Sequence, residues 1–321
     1  MKLFSNPSQD EIKMAAKALK DGHLVAIPTE TVYGLGADAT NEKAIARIYE
    51  VKGRPKDHPL IVHISSIELL EKWARDIPHY AVKLARGFWP GPMTLVLKRT
   101  DLAKDFITGG QETVAIRVPS HTLTSQLLKE FESIGGDGVA APSANRFGKV
   151  SPTNSQAVEE EIGKFLLESD QILNGGQSQI GIESTIIDCS GNNLAVLRPG
   201  SVTIEMIENL LGVKISENLS LNRNLKVPGS FKMHYAPKAH VVLNGVTRPG
   251  DGFIALEDIP TTIGAIRLAS PKDDLEYAQV LYSALRLADN KGLKTVNVIP
   301  PKAQGLGLAI NNRLLKASKG E

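Results

Sequence analysis

Pro28-Thr29-Glu30-Thr31-Val32-Tyr33-Gly34-Leu35-Gly36, followed by Lys52-Gly53-Arg54-Pro55, decides how this chain reads. The apolar run Leu24–Ile27 has strand character and opens directly into the first block. That block is a loop of hydroxyls, one carboxylate and two glycines. A helical pattern, Glu42–Val51, then leads to two cations in a loop stiffened by proline. Strand, polar loop, helix and basic loop in that order predict an α/β fold with a pocket beside the sheet. Glycines at such a loop let a ligand approach the backbone closely. Each block also has a plainer reading. The threonines can cap their own turn, and Lys52 and Arg54 can satisfy the carbonyl end of the preceding helix.

Working outward, residues up to about 212 mix strands with helices. Strands are expected at Leu24–Ile27, Leu60–Ile64, Thr94–Leu97, Val114–Val118, Gly138–Ala141, Ser184–Asp188 and Leu194–Leu197. Helices are expected at Glu42–Val51, Ile67–Ala74, Tyr80–Gly87, Thr122–Phe131, Asn154–Leu167 and Ile204–Leu211. Before them, Ser8 and Glu11 form a capping-box pair ahead of Ile12, Ala15, Ala16 and Leu19 at helical spacing. Gly191-Asn192 reads as a hairpin turn, so some pairing is antiparallel and the sheet is mixed. Residues 213–239 lose periodicity and carry Pro228, Gly229 and the block His234-Tyr235-Ala236-Pro237, which marks a linker with a function. From 240 to 321, four apolar runs and two helical patterns suggest a small three-layer, Rossmann-like α/β domain. The expected organisation is thus 1–212, a linker or lid at 213–239, and 240–321.

Composition narrows the function. The chain has 321 residues, 42% hydrophobic and 22% charged, enough for two ordinary domain cores. A net charge of +2 does not call for a broad basic face that grips a duplex. The single cysteine, Cys189, excludes an internal disulfide and a cysteine-based zinc cluster, and its apolar neighbours make it an inert core thiol. No run approaches the ~20 apolar residues of a membrane span, and no targeting segment stands out, so a cytoplasmic protein is expected. There is no Gly-x-x-x-x-Gly-Lys-Ser/Thr loop, no Gly-x-Ser-x-Gly elbow and no His-Glu-x-x-His pair. Gly305-Leu306-Gly307 lacks the third glycine of a dinucleotide fingerprint.

What remains is a set of cations and hydroxyls at strand ends. Arg117 lies in an apolar strand, where it needs an acid partner or a ligand carboxylate. His63 lies between Val62 and Ile64 and therefore faces away from them. Ser143 and Asn145, in Ala141-Pro142-Ser143-Ala144-Asn145, and Arg198 before Pro199-Gly200 also follow apolar strands. Such a constellation suits an anionic nucleotide, with arginine forking onto oxygens and lysine acting as a point charge.

These residues resemble the Sua5/YciO/YrdC family. The likeness rests on Pro28–Gly36, Lys52-x-Arg54-Pro55, Pro59–His63, Ala141–Asn145, Gly181-Ile182-Glu183-Ser184-Thr185 and Leu197–Gly200, and it continues through Pro228-Gly229 and His234–Lys238. It is similar to the two-domain Sua5 type, and implies a YrdC-like domain with a twisted mixed sheet and flanking helices plus a C-terminal Sua5 domain. The implied activity is that of a nucleotidyltransferase, L-threonylcarbamoyladenylate synthase. It joins L-threonine, bicarbonate or CO2, and ATP into threonylcarbamoyl-AMP and pyrophosphate, with Mg2+ on the phosphates. Downstream threonylcarbamoyl-transferase proteins then complete t6A at position 37 of ANN-decoding tRNAs, with transient tRNA contact allowed. The resemblance implies that Thr31, His63, Arg117, Ala141 and Ser184 hold threonine. It implies that Lys52, Arg54, His58, Thr113, Ser143, Asn145, Ser151, Arg198 and Tyr235 surround ATP, with Lys52 and Arg54 nearest the chemistry and no metal held by the protein. His58 stands where the family often has asparagine. The competing reading is a non-catalytic, RNA-binding relative linked to translation, although the 5% aromatic content is poor for stacking on bases. A carbamoyl-transferring maturation enzyme with the same first domain would need cysteine-rich zinc segments.

Overall fold

The computed structural model describes residues 1–215, 225–229 and 235–319. In the first part the chain runs β1 (Lys2–Ser5), α1 (Gln9–Lys20), β2 (Val25–Ile27), β3 (Gly34–Asp38), α2 (Glu42–Lys52) and β4 (Ile61–His63). It continues through α3 (Leu70–Trp73), α4 (His79–Phe88), β5 (Met93–Lys98), α5 (Asp105–Thr108), β6 (Thr113–Arg117), α6 (Thr122–Ser133), β7 (Val139–Ala140) and α7 (Ser155–Ile162). It closes with β8 (Gln171–Asn174), β9 (Thr185–Asp188), β10 (Ala195–Arg198) and α8 (Ile204–Leu211). The strands join in one mixed sheet, ordered β1-β8-β2-β3-β7-β4-β6-β5-β9-β10. β9 and β10 pair antiparallel across the Gly191-Asn192 turn. The Ser8–Glu11 capping box starts α1, with both reciprocal hydrogen bonds present.

Every expected strand and helix of this part forms, and four elements appear that the sequence pattern does not announce. β1, β8 and the single turn α5 are too short for a clear period. β3 is the instructive one. Its sequence Gly34-Leu35-Gly36-Ala37-Asp38 reads as loop because glycine weakens a strand. Here a Cβ on Gly36 would come within 2.9 Å of both the Val25 carbonyl and the Val139 side chain. The glycine lets β3 sit between β2 and β7, so its use is in the sheet rather than at a ligand.

Alternation sorts the strands onto two faces. One face carries Leu24, Ala26, Val62, Ile64, Ile116, Ala140 and Ile187, in the core with residues of α2, α4 and α8. On the other face, Val25, Ile27, Val139 and Leu173 are covered by Ile12, Leu19, Leu127 and Phe131 of α1 and α6. These two helices cover only the β8-β2-β3-β7 half. The β4-β6-β5-β9 half of the same face presents Ile61, Ala115, Val96 and Ile186, which pack on Val227 of the linker. A hollow remains where the helix cover stops and the linker begins.

The second part is built from β11 (His240–Leu243), β12 (Gly252–Ile254), β13 (Ile266–Ala269), α9 (Asp274–Asn290), β14 (Thr295–Val298) and α10 (Leu306–Ala317). All pairs in its sheet, ordered β11-β14-β12-β13, are parallel. Its own layers are this sheet and the helices α9 and α10, both on one face of it, and the helices pack on the wall of the first part. Val32, Val150 and Ile182 share a core with Tyr277, Leu281 and Leu285 of α9. Gly181 sits so close to α9 that a Cβ there would meet the Ala278 carbonyl at 2.5 Å.

Candidate active site

The hollow is a partly open pocket with about 530 Å3 of space between the protein atoms, adjoining solvent included. Nine of the sequence-predicted residues line it: Thr31, Arg54, His63, Arg117, Ala141, Ser143, Ser184, Arg198 and Tyr235. Register explains part of this meeting. β4 and β6 run parallel with His63 opposite Arg117, so both side chains leave the sheet on one face. Thr29, Val32, Gly34, Ile61, Pro142, Glu183, Pro228 and Gly229 complete the wall.

Arg117 has an acid partner. One terminal nitrogen lies 2.7 Å from Glu30 Oε1, with both residues buried, and its Nε donates to the Gly91 carbonyl at 3.2 Å. The other oxygen of Glu30 accepts the Ser120 backbone N–H at 3.2 Å. Glu30 was visible in the sequence only as a carboxylate in a polar loop. Its role follows from the fold, which brings the loop after β2 over the end of β6. His63 is buried beside this pair, and burial together with the Arg117 charge pushes its imidazole down to about 3. The ring is therefore neutral at physiological pH, and Nδ1 has no hydrogen-bond partner among the described residues.

The other side of the cavity is cationic. Arg54 is buried, and desolvation lowers its guanidinium to about 10. It donates to the Pro59 carbonyl at 3.0 Å. Arg198 donates from Nε and one terminal nitrogen to the Ser184 carbonyl at 3.1 and 2.9 Å, to Ser184 Oγ at 3.1 Å, and to the Pro228 carbonyl at 3.0 Å. Lys52 ends α2 behind this wall rather than in it. Its Nζ donates at 2.5 Å to the carbonyls of both Ser143 and Asn145, and burial holds its pKa well below the ordinary lysine value. Among the described residues, none of Lys52, Arg54 and Arg198 has a carboxylate within ion-pair distance.

Four other predicted residues lie outside the lining. Asn145 Nδ2 donates to the Arg146 and Lys149 carbonyls at 2.7 and 2.8 Å, which closes its loop. Ser151 donates to Glu183 Oε1 at 2.7 Å. Thr113 shares the sheet face of Arg117 but lies at the far end of β6. His58 sits between Arg54 and Phe147, its ring 5.5 Å from the phenyl ring. Burial and the Arg54 charge push His58 down to about 4.

Tyr235 brings the linker into the site. It is buried in a left-handed conformation with φ of 64°, uncommon outside glycine, and stacks on Tyr282 of α9 with ring centres 5.6 Å apart. His234 of the same block and residues 216–224 of the expected linker lie outside the described residues. Among the described residues no three His, Cys, Asp or Glu side chains form a metal-binding group. The two carboxylates nearest the cavity, Glu30 and Glu183, are already engaged by arginines. The lining therefore does not fit a magnesium ion held by protein ligands. No described helix is long and apolar enough to cross a membrane.

Comparison with known proteins finds relatives along the whole chain. A Sua5/YciO/YrdC family profile, described as telomere recombination, matches residues 17–200. A second, described as the C-terminal domain of threonylcarbamoyl-AMP synthase, matches residues 202–319. A threonylcarbamoyl-AMP synthase of Pyrococcus abyssi is 40% identical over 96% of this chain and 94% of its own length. One of Bacillus subtilis is 38% identical over 97% and 93%. The crystal structure of P. abyssi Sua5 complexed with L-threonine superposes with a TM-score of 0.88 and 37% identity, covering 99% of this chain and 98% of that one. On its fold, its two-part architecture and these full-length likenesses, this chain belongs to the Sua5/YciO/YrdC family, in its two-domain Sua5 form.

Proposed function

We propose that this protein is an L-threonylcarbamoyladenylate synthase, a nucleotidyltransferase that makes threonylcarbamoyl-AMP and pyrophosphate from L-threonine, bicarbonate and ATP. The observation that carries this reading is the uneven charge of one cavity. Two buried cations in its lining, Arg54 and Arg198, and a third behind it, Lys52, have no carboxylate within ion-pair distance among the described residues, while the nearby Arg117 is paired with Glu30. Burying an uncompensated charge costs several kcal/mol, so the cationic side is built for a polyanion. The names of the relatives and the threonine complex of P. abyssi Sua5 support the same substrates.

In this reading the threonine amine takes up CO2 as a carbamate. A carbamate oxygen then attacks the α-phosphorus of ATP, and the bond to the pyrophosphate oxygen breaks. Such a transfer needs positioning and charge neutralisation rather than a covalent nucleophile. Arg117 clamps the threonine carboxylate, with Thr31, His63, Ala141 and Ser184 around the rest of the amino acid. Arg54, Arg198 and Ser143 receive the phosphates, and Tyr235 closes over the nucleotide. Lys52 holds the Ser143–Asn145 loop through two carbonyls and so sets the place of Ser143 beside the phosphates. Asn145, Ser151 and His58 support this shell from behind, and Thr113 flanks it on the same sheet face. Magnesium arrives on the phosphates of ATP. Residues 1–212 form the catalytic domain, 213–239 a lid and 240–321 the accessory domain. The product passes in the cytoplasm to transferase proteins that modify tRNA.

Pyrophosphate release from ATP, with and without L-threonine and bicarbonate, tests the reading. Release that requires both, with serine a much poorer substrate, is expected. Absence of threonine-dependent release from folded protein would overturn the reading and favour an RNA-binding role.

A further inference from the structure

Glu183 is the carboxylate in the cavity wall, and the C-terminal part of the chain holds it. Its Oε1 accepts from Ser151 at 2.7 Å. Its Oε2 accepts from the Tyr282 hydroxyl and from Arg313 Nε, each at 2.9 Å. Arg313 also donates its two terminal nitrogens to the Pro199 carbonyl at 2.7 Å and the Glu183 carbonyl at 3.2 Å. One side chain of α10 thus grips the two short segments that carry Ser184 and Arg198. Those two are themselves tied together by three hydrogen bonds from Arg198. The same guanidinium lies 5.5 Å from the centre of the Tyr235 ring, which stacks on Tyr282. Arg313 and Tyr282 are both 0% exposed. Burial alone would raise the Glu183 carboxyl, but the charges of Arg313 and Arg198 outweigh it and hold it at about 2.

Two domains can be held together by apolar contact alone, and the shared core of Val32, Val150, Ile182, Tyr277 and Leu281 already does so. A buried ion pair is an inefficient adhesive, because its desolvation offsets most of its attraction. What a fully hydrogen-bonded pair does supply is fixed geometry. We propose that Arg313 and Tyr282, neither of which lines the cavity, are positioning residues for it. Through Glu183 and Pro199 they set the places of Ser184 and Arg198, so the C-terminal domain determines the shape of a site that lies in the first domain. This rests on the synthase reading of that site.

The test uses the full chain and measures pyrophosphate release, kcat, KM for threonine and for ATP, and the melting temperature. Arg313→Gln should lower kcat/KM for threonine about 100-fold, the loss that follows a misplacement of ~1 Å. Arg313→Lys keeps the charge but cannot reach Glu183 and Pro199 together, so it should restore only part of the loss. Tyr282→Phe, which removes one hydroxyl from a packed ring, should lower kcat/KM about tenfold, the size of one hydrogen bond to a charged group. Arg313→Gln combined with Glu183→Gln should fall no further than the worse single variant, because both remove the same strut. Variants that melt earlier but keep wild-type kcat and KM would overturn the proposal and reduce the pair to adhesive. Additive losses in the double variant would overturn it as well. If Arg313→Gln fails to fold, Tyr282→Phe decides alone. A wild-type chain without threonine-dependent release would sink the synthase reading and this inference with it, whereas an active wild type with unaffected variants sinks the inference only.

Discussion

The two sides of the cavity solve the problem of buried charge in opposite ways. On the β6 side, Arg117 is neutralised by Glu30 at 2.7 Å, and the neutral His63 lies next to them. On the α2 and β10 side, Lys52, Arg54 and Arg198 are buried with carbonyls and a hydroxyl as partners, and burial lowers the pKa of all three. A balanced pair offers one donor and one acceptor group to a ligand that itself carries both signs, as an amino acid does. An unbalanced cluster is complete only with a polyanion. The fold can bear the second arrangement because the carbonyls at loop ends solvate the cations in part. Under the proposed function, the contrast assigns the amino acid to the first side and the nucleotide to the second.

The sharpest way to break this comparison is Arg117→Ala. It should raise KM for threonine by at least about 100-fold and leave KM for ATP within a few-fold, because only the balanced side loses its carboxylate clamp. It should also destabilise the protein, by about 3–5 kcal/mol, because Glu30 is left buried without a partner. Steady-state kinetics with each substrate varied, together with denaturant unfolding, read both effects. Equal changes in the two KM values would remove the division of the cavity.

Arg54→Met should do the reverse, with a smaller effect. Removing one charge-assisted contact to phosphate should raise KM for ATP about 10- to 100-fold, while KM for threonine stays near wild type. Arg54 has no carboxylate within ion-pair distance among the described residues, so its loss strands no opposite charge. The unfolding midpoint should be unchanged or slightly higher. A large loss of stability would show that Arg54 is a structural residue whose counter-charge lies elsewhere, and the contrast between the two sides would fail.

Much of this was legible before folding, for a physical reason. His63 and Arg117 stand out because each interrupts an apolar strand, Arg198 because it follows one, and strand alternation assigns His63 its face. Lys52 and Arg54 stand out through the glycine and proline around them. Glu30 and Glu183 did not, because a carboxylate in a polar loop looks solvated. What makes them matter is a contact far along the chain, Glu30 with Arg117 and Glu183 with Arg313. β3 was hidden by its own glycines, which are present to let strands approach. The depth of Lys52 was equally invisible, since nothing local says that the Ser143–Asn145 loop folds over its ammonium group.

The smallest effect separates the two sides by pH. His63 is pushed down to about 3 by burial and Arg117, so it stays neutral from pH 5 to 8. The pH profile of kcat/KM for threonine should then show no limb near the ordinary histidine value of 6.5. Stability should respond instead. Between about 3 and 6.5 the unfolded chain binds a proton at this position that the folded chain does not. The stabilisation is complete above pH 6.5 and is lost as the pH falls through that window. His58, pushed down to about 4, adds to the same slope. Glu183 lies lower, since a carboxyl held at about 2 rather than 4.5 contributes fully above 4.5 and fades only below it. Melting curves taken from pH 7 down to 5 therefore report the histidines and not the Glu183–Arg313 strut. His63→Asn should flatten part of that slope and leave the fall below pH 4.5 intact. An unchanged slope would mean that His63 titrates normally, and that the balanced side of the cavity is wetter than its burial indicates.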